Sequence, residues 1–120
     1  MALHRFDHVN IATPAVDATA DWYVEALGLR VGPRPAVGVH GHWLYLGDTP
    51  VIHLMATDDP RHAGPTGPID HVAFIAHDVE AMRSWLTSLG IPHRHNRIGD
   101  FQQLFLTDPN GVVIELNFPG

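Results

Sequence analysis

The chain has no cysteine among its 120 residues. That absence removes thiolate metal sites and a cysteine nucleophile from its chemistry, and it rules out a disulfide scaffold. Positive charge is also scarce. Seven Lys and Arg stand against thirteen Asp and Glu, a formal charge of −6 with histidine neutral. There is no basic run, so neither nucleic acid nor an anionic membrane surface is an expected partner. No apolar stretch approaches the roughly 18–20 residues that span a bilayer. The opening segment MALHRFDHVNIAT carries charge where a signal peptide has its apolar run, and a cytoplasmic location is the expectation.

What is present is an ordinary globular composition, 45% hydrophobic, which excludes a disordered or collagen-like chain. The length suits one domain, able to bury roughly two-thirds of its unfolded surface. Ten histidines stand out.

The chain repeats itself. FDHVNIATPAVDATADWYVEALGL (6–29) parallels IDHVAFIAHDVEAMRSWLTSLGI (69–91), with His8 on His71, Asp17 on Glu80 and Trp22 on Trp85, all at an offset of 63. Further on, LYLGDTPVIHLM (44–55) parallels LFLTDPNGVVIELNF (104–118), and His53 falls on Glu115 at an offset of 62. Two copies of one unit are expected: module one about 4–57, a Pro- and Gly-rich linker 58–68, and module two about 69–118.

Each copy opens on a short β-rich run and continues into an amphipathic helix. The first helix is expected at about 15–27, with Val16, Ala20, Tyr23, Val24 and Leu27 on one face. The second is expected at about 78–89, with Val79, Met82, Trp85, Leu86 and Leu89. Gly28 and Gly90 stand where a helix end favours a left-handed residue. Extended runs follow at about 30–39, 42–47 and 50–56, then at 92–97, 101–107 and 112–118, with a turn at Asp108–Gly111. The fold class is α+β, with βαβββ twice.

Strand alternation places His8 with Asn10 and Ala12, His71 with Ala73 and Ile75, His53 with Val51 and Met55, and Glu115 with Val113 and Asn117. The opposite faces, with Ile52 and Leu54 or Ile114 and Leu116, should pack under the helices. His8, His53, His71 and Glu115 thus occupy two positions of the repeat, each used twice. If the copies pack about a pseudo-twofold axis, counterparts meet, as a His/His pair and a His/Glu pair. Such a set suits a divalent first-row metal. A lone strand histidine is usually a satisfied core group, and for His53 the alternative is a pocket wall. A carboxylate at Glu115, flanked by Val113, Ile114 and Leu116, is costly to bury without a partner. The remaining histidines, His4, His40, His42, His62, His77, His93 and His95, are expected as solvated surface groups. One of His40, His42, His93 or His95 is placed to reach a bound substrate. Trp22 and Trp85 are expected as packing anchors, while Trp43 and Tyr45 suit either core or pocket wall.

Two βαβββ units, a DHV opening in each and a DPNGVVIEL ending resemble the vicinal oxygen chelate superfamily of glyoxalases, bleomycin resistance proteins and extradiol dioxygenases. The resemblance covers nearly the whole chain. It implies a cupped, mostly antiparallel sheet with helices outside, holding one divalent ion (Fe, Ni, Zn or Mn) on His8, His53, His71 and Glu115. It implies a small-molecule substrate with vicinal oxygens and a homodimer. Asn10, Trp43, Tyr45, Met55 and Asn117 are the expected substrate-binding residues. Departures narrow the activity. Glyoxalase I usually has Glu where this chain has His53, and bacterial forms tend to have Arg at the place of Ala12. The extradiol signature usually has Tyr at the place of Phe105. Fosfomycin thiol transferases usually have Thr at the place of Asn10, and bleomycin-binding members lack the ligand set. The reading is a glyoxalase-like lyase or isomerase with Glu115 as catalytic proton carrier. The alternatives are an extradiol-type Fe(II) dioxygenase and a non-catalytic small-molecule-binding protein.

Overall fold

A computed structural model describes residues 2, 4–36, 38–59 and 64–119. Residues 60–63 of the expected linker, His62 among them, and residue 37 of the expected run 30–39 lie outside the described residues. The elements run β1 (Val9–Thr13), α1 (Val16–Leu27), β2 (Arg30–Gly32), β3 (Gly41–Leu46) and β4 (Thr49–Ala56). They continue β5 (Val72–Ile75), α2 (Val79–Ser88), β6 (Arg94–Ile98), β7 (Phe101–Thr107) and β8 (Val113–Phe118). This is βαβββ twice, an α+β fold. The chain divides into two compact units, Met1–Ala63 and Gly64–Gly120.

Each unit has its own four-stranded mixed sheet, in the order β1-β4-β3-β2 in the first and β5-β8-β7-β6 in the second. The opening strand of each unit lies parallel to its last strand, and the other pairings are antiparallel. In unit 1 the register sets Asn10 beside His53. In unit 2 it sets Ala73 beside Glu115. Ile52, Leu54, Ile114 and Leu116 are buried on the opposite faces, as the alternation requires. A slip of one residue would turn these side chains to water, each at a cost of about 1.5–3 kcal/mol.

α1 buries Val16, Thr19, Ala20, Tyr23 and Ala26, the spacing of a single helical stripe. Gly28, at φ 72°, ends it in the left-handed conformation; its N–H donates to the Val24 carbonyl, and the Leu29 N–H donates to the Tyr23 carbonyl. α2 starts at Asp78, whose carboxylate accepts from the Ala81 N–H at 3.1 Å. Leu86 is its fully buried anchor. The expected turn is built by the Asp108 carboxylate, which accepts the N–H groups of Asn110 and Val112 at 2.8 and 2.9 Å.

Three expectations are corrected. Among the described residues, the run 30–39 forms a strand only over Arg30–Gly32, because Pro33 and Pro35 lack the N–H that a ladder needs. Trp85 is 48% exposed, so Leu86, its neighbour, anchors α2 instead. Val24 is also exposed, and the stripe of α1 turns towards Thr19 and Ala26.

Gly41 opens β3, paired with Met55 of β4. A Cβ at this position would overlap the Leu54 carbonyl oxygen, and that oxygen cannot move without breaking the sheet. Gly41→Ala should therefore destabilise the protein by about 1–3 kcal/mol, in the range of an overpacked core. The expected result is a lower urea midpoint with an unchanged m-value. An unaltered midpoint would refute this account of the glycine.

Candidate functional site

In unit 1, β1 and β4 bring His8 and His53 together. Their rings are stacked, with centroids 3.6 Å apart and planes within 9°. Trp43, directly opposite His53 on β3, covers the other face of the His53 ring at 4.1 Å. His8 is turned by its neighbour, since its Nδ1 donates to Asp7 Oδ2 at 2.6 Å. A proton fixed on Nδ1 leaves the Nε2 lone pair free, as in metal sites where a carboxylate orients the imidazole. His53 Nε2 is buried and, among the described residues, has no hydrogen-bond partner.

Unit 2 repeats the plan with one change of chemistry. His71 Nδ1 donates to Asp70 Oδ2 at 2.8 Å, and His71 Nε2 lies 3.6 Å from Glu115 Oε1. The Glu115 side chain is only 13% exposed. Its other oxygen, Oε2, accepts from Asn117 Nδ2 at 2.8 Å. Asn117 Oδ1 accepts from Gln103 Nε2 at 3.1 Å, and Gln103 Oε1 accepts from Asn96 Nδ2 at 3.0 Å. A line of amides crossing β6, β7 and β8 thus holds one carboxylate oxygen and leaves the other facing His71.

The pairing shown lies within each unit, His8 with His53 and His71 with Glu115, because the first and last strands of a unit are neighbours. Sequence reasoning missed Asp7 and Asp70. The signal for them was the Asp-His dipeptide present in both copies, 63 residues apart.

Of the expected substrate-binding residues, Asn10 lies beside His53 and Met55 lies beside both Ala12 and Gly41. Asn117 is engaged by Glu115 and Gln103. Tyr45 is drawn towards β2, with its hydroxyl on the Pro33 carbonyl at 2.6 Å and its ring against Arg30.

In each unit the donors are of kinds that suit a divalent ion, imidazole nitrogens in unit 1 and an imidazole nitrogen with a carboxylate oxygen in unit 2. The orphaned His53 Nε2 is the kind of buried atom such an ion would satisfy. The 3.6 Å between His71 Nε2 and Glu115 Oε1 is too long for a good hydrogen bond. It is near the spacing of about 3.3 Å that two donors take around an ion at about 2.0–2.2 Å.

His40 and His42 are not the separate solvated groups expected. The Nε2 of each lies 2.7 Å from Asp17 Oδ1. These bonds, that of His42 first, hold the Asp17 carboxyl below its ordinary range. His93 Nδ1 meets the Ile91 carbonyl at 2.9 Å, and His95 Nε2 meets Gln102 Oε1 at 2.8 Å.

The profile of the Glyoxalase/Bleomycin resistance protein/Dioxygenase superfamily matches residues 5–116. The chain belongs to this superfamily. It is 30% identical to an ethylmalonyl-CoA/methylmalonyl-CoA epimerase from Cereibacter sphaeroides, over 93% of this chain and 96% of the relative. Among solved structures it is similar to TnmS3, an antibiotic binding protein from Streptomyces sp. CB03234, with 26% identity, TM-score 0.73 and coverage of 100% and 99% of the two chains. The fold is also that of a lactoylglutathione lyase from Agrobacterium tumefaciens, at 18% identity, TM-score 0.73 and 98% and 96% coverage.

The pKa values of His53 and His71 are shifted in opposite directions. Burial, helped by His8, lowers the His53 pKa from 6.5. The Asp70 hydrogen bond, helped by Glu115, raises that of His71 from 6.5. His53 thus contributes stability above about pH 6.5 that is lost as pH falls through its lowered value. His71 contributes stability below about pH 6.5 that is lost as pH rises through its raised value. In metal-free protein, NMR titration should show His71 losing its proton at a higher pH than His53. The reverse order would contradict the geometry of both pairs.

Proposed function

We propose that the protein is a divalent-metal-dependent enzyme acting on a small substrate with vicinal oxygens, of the lyase or isomerase kind, with Glu115 as its proton carrier. The observation that carries this reading is the state of Glu115. It is a largely buried carboxylate with one oxygen held by Asn117 and the other directed at His71. The proposed ligands are His8, His53, His71 and Glu115. When bound, the ion supplies Lewis acidity towards two adjacent oxygens of the substrate.

The chain's own residues supply orientation and proton transfer. Asp7 and Asp70 hold the imidazoles of His8 and His71 with Nε2 outward. Burial lowers the His53 pKa and so favours the neutral form that a ligand needs. In this reading Glu115 takes a proton through Oε1 from a carbon next to a carbonyl and returns it. Asn117 fixes the carboxylate through Oε2 during both transfers. The relative named as an epimerase favours this course over oxygen chemistry, since epimerisation is the removal and return of one proton.

A second reading is a non-catalytic binding protein, favoured by the His8–His53–Trp43 ring stack and by the likeness to an antibiotic-binding structure. Flat aromatic ligands stack on such surfaces.

Protein purified without a metal-affinity tag should carry a first-row divalent metal on elemental analysis. Glu115→Ala should lower metal affinity by at least about 10–100-fold, the loss typical of disturbing even the groups behind a ligand. His77→Ala should leave it unchanged. Equal effects of the two substitutions would defeat the ligand assignment. Stoichiometric binding of an aromatic ligand by protein that takes up no metal would favour the second reading, and oxygen consumption with a catechol would favour a dioxygenase.

A further inference from the structure

We propose that Asp17, His40 and His42 form a second cation site on unit 1, for a first-row divalent ion of the zinc class, separate from the His8/His53 pair. These three residues offer two imidazole nitrogens and one carboxylate oxygen, all within 4.8 Å of one another. Both Nε2 atoms already point at a single oxygen, Asp17 Oδ1, at 2.7 Å each. Tetrahedral zinc with bonds of about 2.0–2.1 Å sets its donors about 3.3 Å apart, so an ion would need each spacing to open by only about 0.6 Å. Neutral imidazoles with the proton moved to Nδ1 would then turn both Nε2 lone pairs to the metal.

The donors are held from independent directions. Asp17 lies in the first turn of α1. His42 lies within β3, paired to Leu54. The His40 carbonyl accepts from the Ala56 N–H at 2.8 Å, and Arg34 Nη2 donates to the Val39 carbonyl at 2.8 Å, which fixes the approach to β3. The side chains are 58% (His40), 73% (Asp17) and 23% (His42) exposed, so the remaining coordination positions would be open to water.

The fold itself does not require this cluster. At the corresponding places, offset by 63 and 62, unit 2 has Glu80, Gln102 and Leu104. Glu80 there pairs with Arg83 at 3.4 Å, and Gln102 accepts from His95 and Arg97. The same βαβββ unit therefore forms without two histidines on a carboxylate. Strand alternation also keeps the cluster apart from the His8/His53 pair. His42 shares its face of β3 with the fully buried Leu44, whereas Trp43, on the other face, stacks on His53.

The test uses the whole chain, untagged, stripped with a chelator and titrated with Zn²⁺. In a His53→Ala/Glu115→Ala background one Zn²⁺ per chain should still bind. Adding His40→Ala should weaken that binding at least tenfold. Asp17→Asn, which keeps an acceptor oxygen for both imidazoles but removes the charge, should also weaken it. In the wild-type chain, the His40 and His42 Nε2 NMR resonances should shift on zinc addition, which decides the question even if the background variant does not fold. Unchanged resonances at saturating Zn²⁺, or an affinity indifferent to both His40→Ala and Asp17→Asn, would overturn the proposal. A wild-type chain whose His40 and His42 signals respond while Glu115→Ala changes nothing would leave this site standing and the proposed function fallen.

Discussion

The parallel pairing of each unit's first strand with its last is the constraint on which the candidate chemistry depends. A parallel neighbour cannot be reached by a tight hairpin, so the chain must cross over through α1 or α2 before the strands meet. That crossover leaves the opening residues of the unit beside residues 43 positions later in unit 1 and 42 in unit 2. The register then sets Asn10 on His53 and Ala73 on Glu115. His8 and His71, two residues upstream of Asn10 and Ala73, fall on the same faces as these partners. The buried aliphatic residues of the last strands hold this register, because any slip of one residue would expose them. Packing on one side of the sheet thereby fixes polar geometry on the other.

The two units use this common frame for different chemistry, and their surroundings explain why His53 and Glu115 are not interchangeable. Glu115 is held by Asn117, which is held by Gln103. The corresponding positions in unit 1, offset by 62, are Met55 and Gly41, which have no side-chain amide. A carboxylate at position 53 would lie against the Trp43 ring without that amide support, at the cost of an incompletely satisfied buried charge. A neutral imidazole suits the place, since it can stack on both Trp43 and His8 while Nε2 stays available. In unit 2 the equivalent of Trp43 is Phe105, whose ring is taken by Arg94 at 4.4 Å, so the carboxylate has no stacking partner of that kind. The repeat has thus been divided into a ring-stacked half and an amide-supported, carboxylate-bearing half.

Much of this was legible before any coordinates. The internal repeat, the two helices, the turn at Asp108–Gly111 and the facing of the last strands all follow from period and offset, because hydrophobic alternation dictates them directly. What was not legible depended on contacts between side chains of unlike kind. Trp85 looks like an anchor by its size and its match to Trp22, yet Leu86 occupies the buried direction. Tyr45 shares a strand with Trp43, but the irregularity between Leu44 and Tyr45 carries it towards Pro33 and Arg30. The pairing within each unit needs the strand order, which periodicity does not contain. Asp7 and Asp70 were visible as a repeated dipeptide, but their orienting role required the observed Nδ1 contacts.

The histidines of β3 and its approach carry the same lesson one step further. His42 and Trp43 are adjacent, and alternation sends them to opposite faces of one sheet. Trp43 joins the ring stack with His53 and His8, while His42 turns towards the helix side and finds Asp17. An internal repeat therefore separates two kinds of residue. Those that recur in both units, or change together with their surroundings, are tied to the frame that all βαβββ units share. Those that occur once, in a frame that forms equally well without them, need a reason of their own. A carboxylate buttressed by two imidazoles is more than α1 and β3 require to pack, since α2 and β7 pack without it. The local geometry, two nitrogens converging on one oxygen, makes cation binding the economical reason.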